Sequence, residues 1–468
     1  MLKTKKKRKG KTLPAGQTIA LGFAGIILLG ALLLMLPAAA RSGESAGFLT
    51  ALFTATSSTC VTGLVMGDTW QLWSGFGQTV IICLIQIGGL GFMTVITFFI
   101  SLLRKKTGMK SSLVLADSIG VGDMDTLKDI FRHALFGGLI IEGCGALILF
   151  VRFLFRYDFL TSLKLGVFHA ISGFCNAGFD IFGFETPGAS LIPFYDDPVV
   201  LLTLSLLIQL GGLGFIVWYE LLETRPLTRF LQPKIFQKKN LRHRLSVYTK
   251  AVLIVSAALT VGGWVYFCVT EWNNPGTLGP MTVPEKLLGG LFQSVTVRTA
   301  GFAGIDQGAM TEAGKAGSVF FMLIGGSSGS TAGGLKTVTF LVLVLFLWSK
   351  LRGKPRVSFL HRTIPDKQVL DAVTLAGVLV GLAFVGALVI CGTADVTFTD
   401  AVYETVSALA TVGLTTGITP TLPMFAKCVL IVFMFFGRVG ILTLCFGFLQ
   451  QRPETQEYKY AETQFLIG

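Results

Sequence analysis

One pattern recurs four times and constrains this chain more than any other feature. A short semi-apolar segment runs into a glycine in FTATSSTCVTGL (Gly63), FHAISGFCNAGF (Gly178), FQSVTVRTAGF (Gly301, one residue shorter) and YETVSALATVGL (Gly413). The glycines lie 115, 123 and 112 residues apart, and each segment stands between two long apolar runs. The runs echo one another as well: Gln86-Ile87-Gly88-Gly89-Leu90-Gly91-Phe92 is nearly repeated by Gln209-Leu210-Gly211-Gly212-Leu213-Gly214-Phe215. A period of this kind means copies of one unit that bury their surfaces against each other.

The long runs fall at 17–39, 76–103, 133–154, 198–222, 247–270, 316–348, 369–391 and 425–449, and about 20 apolar residues cross a bilayer as a helix. The short segments, at 47–58, 163–174, 285–296 and 398–409, cannot cross. They fit re-entrant helices that return as extended backbone, which a membrane tolerates only where protein or a watery cavity surrounds it. With 52% hydrophobic and 14% charged residues, neither a soluble domain nor disorder is compatible with the chain. The expected fold is therefore an all-α membrane protein. Eight transmembrane helices form four helix, pore-loop, helix repeats with pseudo-fourfold symmetry around a central pore. The expected boundaries are a basic tail at 1–16, repeats at 17–110, 111–232, 233–355 and 356–450, and a tail at 451–468. The first run is too long for a signal-peptide core and is read as a retained helix.

Charge sets the expected orientation. Of 39 Lys and Arg residues, 29 lie in the N-terminal tail, the 104–132, 224–250 and 350–367 loops and the C-terminal tail. Positive loops face the cytoplasm, so both termini are expected there, in a multi-pass cell-membrane protein whose short segments open outward. The net charge of +13 is spread between apolar runs, so a membrane surface is the expected contact and nucleic acid is not. The eight cysteines form no CxxC pair, which points to reduced, packed thiols without a disulfide framework or a zinc site.

Four such segments inserted from one side can meet on an axis. There, a ring of backbone carbonyls replaces the water shell of a monovalent cation without a fixed charge in its path. The candidate filter residues are Val61, Thr62, Gly63, Asn176, Ala177, Gly178, Thr299, Ala300, Gly301, Thr411, Val412 and Gly413, all small or short at the narrowest point. The C-terminal ends of the short helices add partial negative charge, and Asp68, Asp180 and Asp306 are expected to line an anionic vestibule. The sixth run is interrupted by Gly325-Gly326-Ser327-Ser328-Gly329-Ser330-Thr331-Ala332-Gly333-Gly334-Leu335-Lys336-Thr337. That composition does not hold a helix, and Leu335 between Gly334 and Lys336 breaks the phosphate-binding motif. Arg438 and Glu142 lie mid-span, where an ionisable residue marks function by default. His169 reads as a packed or hydrogen-bonded side chain. No cluster of acids or histidines supports an enzyme, and no cofactor is expected in this chain.

These TxGL and NAGF loops, QxGGLGF helices and Gly-Ser segment resemble the Trk/Ktr/HKT superfamily of potassium transporters. The resemblance covers nearly the whole chain and is strongest to the KtrB branch, the membrane subunit of bacterial Ktr uptake systems. It implies potassium as the ion held by the filter carbonyls, with glycine at all four positions marking potassium selectivity. It also implies that residues 325–337 form an intramembrane gate loop and that Arg438 is a pore arginine below the filter. A homodimer docked on a cytosolic ring of nucleotide-binding RCK-type subunits, responsive to ATP and ADP, is a further implication. The alternative is a symporter coupled to sodium or protons, for which Glu142 is the available carboxylate.

Overall fold

Each of the four short segments folds as a helix that stops just before its glycine, because a following residue turns into left-handed backbone. The computed structural model of the protein describes residues 15–90, 124–223 and 245–440. Expectations about the tails, most of the 104–132 and 224–250 loops and the inner end of the second run lie outside the described residues. The first unit comprises α1 (Ala15–Leu34), α2 (Phe48–Thr59), the one-turn α3 (Thr69–Leu72) and α4 (Gly75–Leu90). The second has α5 (Met124–Phe153), α6 (Phe159–Phe174), α7 (Pro198–Leu213) and α8 (Phe215–Glu223). The third has α9 (Val247–Glu271), α10 (Val283–Thr296), α11 (Glu312–Leu323) and α12 (Thr337–Leu351). After a two-stranded hairpin, β1 (Ser358–Phe359) with β2 (Arg362–Thr363), the fourth unit has α13 (Asp366–Thr393), α14 (Phe398–Leu409) and α15 (Met424–Val439).

The short helices α6, α10 and α14 begin at side-chain caps that occupy otherwise unpaired N–H groups. Asp158 accepts from Thr161 N at 3.2 Å, and Thr397 accepts from Asp400 N at 3.2 Å. Thr282 and Glu285 form a reciprocal capping box. Within α5, α9 and α13, the stretches Leu135–Phe153, Val247–Glu271 and Asp366–Thr393 are long and apolar enough to cross a membrane. Their outer faces leave Ile140, Leu147, Val265 and Phe384 exposed, as a lipid-facing surface requires.

The second long helix of each unit packs on the short helix of the next: α4 on α6, α7 on α10, α11 on α14, and α15 back on α2. Glycines permit the closest packing within a unit. A side chain on Gly88 would strike the Thr59 carbonyl, on Gly211 that of Phe174, and on Gly437 that of Leu409, which explains the first glycine of the two pairs that echo between units.

Two departures from the sequence reading stand out. The 198–222 run is not one straight crossing: α7 and α8 meet at 95°, with Gly214 at φ +87°. The 325–337 segment wedges in at that corner. Ser327 N donates to Gly212 O at 3.0 Å and Phe215 N to Gly329 O at 3.0 Å, replacing helical bonds that the break removes. The thiols of Cys83 and Cys144 are exposed and so are not packed as expected, while Cys60 and Cys175 are buried.

Candidate cation-binding site

Beyond each short helix the backbone takes the same path. Val61, Asn176, Thr299 and Thr411 have φ of 57°, 60°, 65° and 52°. One residue later φ is negative again, and Gly63, Gly178, Gly301 and Gly413 follow at 100°, 68°, 81° and 95°. Left-handed backbone in a non-glycine residue costs about 1–3 kcal/mol and persists only where the surroundings hold it. All twelve candidate filter residues are buried.

The four glycines converge, and in a fixed order. A side chain on Gly63 would start 2.5 Å from the Ala177 carbonyl oxygen, and one on Gly178 would start 2.6 Å from that of Ala300. On Gly301 it would strike the Val412 carbonyl, and on Gly413 the Thr62 carbonyl. Every glycine thus abuts the carbonyl just before the glycine of the next unit, and the fourth closes on the first.

A hydroxyl column braces this geometry, and the sequence reading missed it. Ser57, Ser172 and Ser407 stand six residues before their glycines and Thr296 five before the shortened one. Their carbonyls accept from Thr62 N (2.8 Å), Ala177 N (2.8 Å), Val412 N (2.8 Å) and Ala300 N (3.0 Å). The hydroxyls of Ser57 and Ser407 accept from Gly63 N at 3.0 Å and Gly413 N at 3.1 Å. Those of Ser172 and Thr296 donate to the Phe179 and Phe302 carbonyls, each at 2.7 Å. Aligning the four segments displays this column, because a hydroxyl survives there in every unit.

A second polar column ties three of the short helices to the chain beyond the glycines. The His169 ring is buried, lies 2.8 Å from Leu165 O and 3.4 Å from Ile181 N, and stacks on Phe182 at 4.1 Å. Gln293 pairs with Gln307, which also accepts from the Tyr403 hydroxyl at 2.8 Å. Glu404 accepts from Thr415 Oγ1, Thr416 N and Thr419 Oγ1.

The outer carboxylates do more holding than lining. Asp68 caps α3 through Trp70 N at 2.9 Å and reaches across to Gly188 N at 2.9 Å, joining the outer loops of the first two units. Asp306 accepts from Gly308 N at 2.9 Å. Asp180, two residues past its glycine, is pushed up to about 6 by burial and by the nearby Asp68 charge.

On the other side of the glycines, residues 325–336 form an irregular loop between α11 and α12, with Ile324 and Leu335 bridged. Its Thr331 Oγ1 lies 3.2 Å from the Asn176 amide. A side chain on Gly333 would strike the Thr411 hydroxyl, and one on Gly325 would lie 3.3 Å from Thr299 Cγ2. The loop thus touches three of the four left-handed residues. Arg438 donates to the carbonyls of Thr331 and Gly88, and Lys336 Nζ donates to Ala332 O at 2.8 Å. Glu142 lies in the helix wall, where Gln86 Nε2 donates to its two oxygens at 3.1 and 3.0 Å and the thiol of Cys175, the residue before Asn176, donates to Oε1 at 3.7 Å.

Comparison with known proteins converges on one family. Residues 17–459 match the family TrkH, described as "Cation transport protein". The chain is 38% identical to the "Potassium/sodium uptake protein NtpJ" of Enterococcus hirae over 468 residues, 99% of each chain. It is 35% identical to the "Ktr system potassium uptake protein B" of Bacillus subtilis over 452 residues, 97% of this chain and 96% of that one. The fold is similar to that of the potassium transporter TrkH from Vibrio parahaemolyticus, with a TM-score of 0.68 at 18% identity over 95% of this chain and 86% of that one. Matched over nearly its whole length, the chain belongs to the TrkH family of cation transport proteins.

Proposed function

We propose that this protein is the potassium-translocating membrane subunit of an uptake system. Dehydrated K+ passes through a filter of backbone carbonyls supplied by Val61-Thr62-Gly63, Asn176-Ala177-Gly178, Thr299-Ala300-Gly301 and Thr411-Val412-Gly413. One observation carries the reading: the four glycines abut one another's preceding carbonyls in a closed cycle. Oxygens gathered in this way can replace the water of a monovalent cation. The buried hydroxyls of Thr62 and Thr411, which have no protein partner among the described residues, add oxygens beside that path. The packing of each unit on the next supports a pseudo-fourfold ring of four units with eight crossings.

In this reading residues 325–336 are the gate and Arg438 is its latch. Irregular backbone at membrane depth survives where it lines a cavity, and Arg438 ties the loop to the first unit through Thr331 and Gly88. Both termini face the cytoplasm, and the chain works as a homodimer. The word "system" in the names of its Ktr relatives supports a separate regulatory component, for which we propose an RCK-type ring responsive to ATP and ADP. Rubidium uptake into proteoliposomes, comparing the unmodified protein with Gly63→Ser, tests the filter. Equal uptake and equal preference over sodium would overturn it.

A second reading, in which sodium is also carried or coupled, is favoured by the name of the Enterococcus hirae relative. Sodium-22 uptake that competes with rubidium would support it.

A further inference from the structure

Six cations, Lys350, Arg352, Lys354, Arg356, Arg362 and Lys367, and a single carboxylate, Asp366, occupy the end of α12, the segment after it and the start of α13. The segment is folded back on the helices. The Ser349 hydroxyl donates to Arg356 O at 3.0 Å, Lys354 N donates to Ser349 O at 2.9 Å, and Ile364 N donates to Val357 O at 2.9 Å. Val357 is buried in an apolar cluster with Val342, Val369 and Ala372.

Between this folded segment and the two helix ends lies a cleft of about 430 Å³ whose lining includes Lys350, Lys354, Lys367, Phe346, Leu370 and Val373. The three lysines are exposed, and among the described residues no ion pair engages them. Asp366 is the one acid on the lining, so the amines outnumber carboxylates three to one. The apolar wall continues along exposed side chains of α12 and α13, with Leu347, Leu351 and Leu370 at 60%, 83% and 67% exposure.

We propose that this cleft binds the phosphate-bearing headgroup of an anionic phospholipid, whose chains leave along the apolar faces of α12 and α13. A ligand with an anionic head and a hydrocarbon tail uses both halves of the site. A soluble anion leaves the apolar wall unused, and an acidic protein segment leaves unused the wall's continuation into the lipid-facing surface. The volume falls within the roughly 300–1,000 Å³ typical of small-ligand sites, so it takes a headgroup while the chains remain in the bilayer. Lysines near an anionic headgroup each strengthen binding by roughly fivefold. The site involves neither the filter nor the gate loop, so its failure would leave the transport reading intact.

The full chain is reconstituted in phosphatidylcholine vesicles carrying trace spin-labelled phosphatidylglycerol or spin-labelled phosphatidylcholine. The unmodified protein is expected to show an immobilised phosphatidylglycerol component well above that for phosphatidylcholine, reduced by salt and undiminished by inorganic phosphate. The triple variant Lys350→Gln, Lys354→Gln, Lys367→Gln should weaken it by about tenfold or more, the matching Lys→Arg triple should restore it, and Asp366→Asn should strengthen it. Equal immobilisation of the two lipids would overturn the proposal. So would a Gln triple that retains phosphatidylglycerol and loses only binding of a regulatory protein. The Arg triple separates loss of charge from loss of fold, and all the substituted lysines are solvent-exposed.

Discussion

The Arg438 guanidinium donates to the Thr331 carbonyl, joining the last described helix to the loop between α11 and α12. A second donor reaches Gly88 O in the first unit, so one side chain holds three units together. This geometry makes Arg438 a clamp on the loop. A cation within a membrane span is expensive unless its donors are used, and the half-buried Arg438 gives its own to carbonyls. Arg438→Gln should therefore loosen the loop and raise rubidium flux in proteoliposomes without any regulatory component, by roughly 1–2 kcal/mol of gating energy or about a five- to thirtyfold effect. Unchanged flux would show that the loop holds its place without the arginine.

The filter glycines give a steric prediction. Gly413 has φ +95°, and a Cβ there would strike the Thr62 carbonyl, so Gly413→Ala adds both strain and a clash. Strain alone is worth about 1–3 kcal/mol. Rubidium uptake should fall by about tenfold or more while the protein still elutes as a monodisperse species. Gly25→Ala, where a Cβ meets nothing within 4 Å, should transport normally.

The hydroxyl column predicts stability effects confined to the candidate filter. Ser57→Ala removes the acceptor of Gly63 N and leaves a buried donor unsatisfied, at a cost of about 1–3 kcal/mol. The melting temperature in detergent should drop, and added K+ should protect the variant less than the unmodified chain. If K+ protection is identical, the column does not support the filter.

Asp180 predicts a pH dependence with a definite sign. Its carboxyl is raised to about 6 from an ordinary 3.8, first by burial and then by Asp68. The folded state therefore favours the protonated form, and the charged form weakens the fold at neutral pH. Asp180→Asn should raise the melting temperature at neutral pH and lose that advantage as the pH approaches 3.8. In transport, a drop of pH through about 6 on the side that Asp180 faces removes a negative charge beside the candidate filter, so the KM for rubidium should rise by roughly a few-fold. That rise should be absent in Asp180→Asn.

Glu142 separates facilitated uptake from proton coupling. Both its oxygens are engaged by Gln86, and one also accepts from the Cys175 thiol at 3.7 Å. Glu142→Gln should leave rubidium uptake driven by membrane potential alone within about twofold, since a neutral isostere keeps an acceptor for Gln86. Uptake that requires an imposed pH gradient in the unmodified protein, and loses that requirement in the variant, would support the symporter.

The helices of the four units were legible because apolar length and repeated glycines are properties of short windows. The boundaries agree closely where a cap sits, as in 398–409 against Phe398–Leu409. What the sequence hid depends on contacts between units. Gly214 reads as another small residue in an apolar run, and its break appears only when Ser327 arrives from 113 residues away. The outer acids look alike in sequence, yet Asp68 caps a helix and braces a neighbouring loop while Asp180 is held beside it. Repetition picks out the twelve candidate filter residues, whereas the cyclic order of their glycines is not written in the sequence.

That order has a directional consequence. Since each glycine leans on the carbonyl of its successor, bulk added to one unit is felt first by its downstream neighbour. The four positions therefore form a one-way relay: a lesion at Gly178 should deform the third unit before the first, and equivalent substitutions need not have equivalent phenotypes.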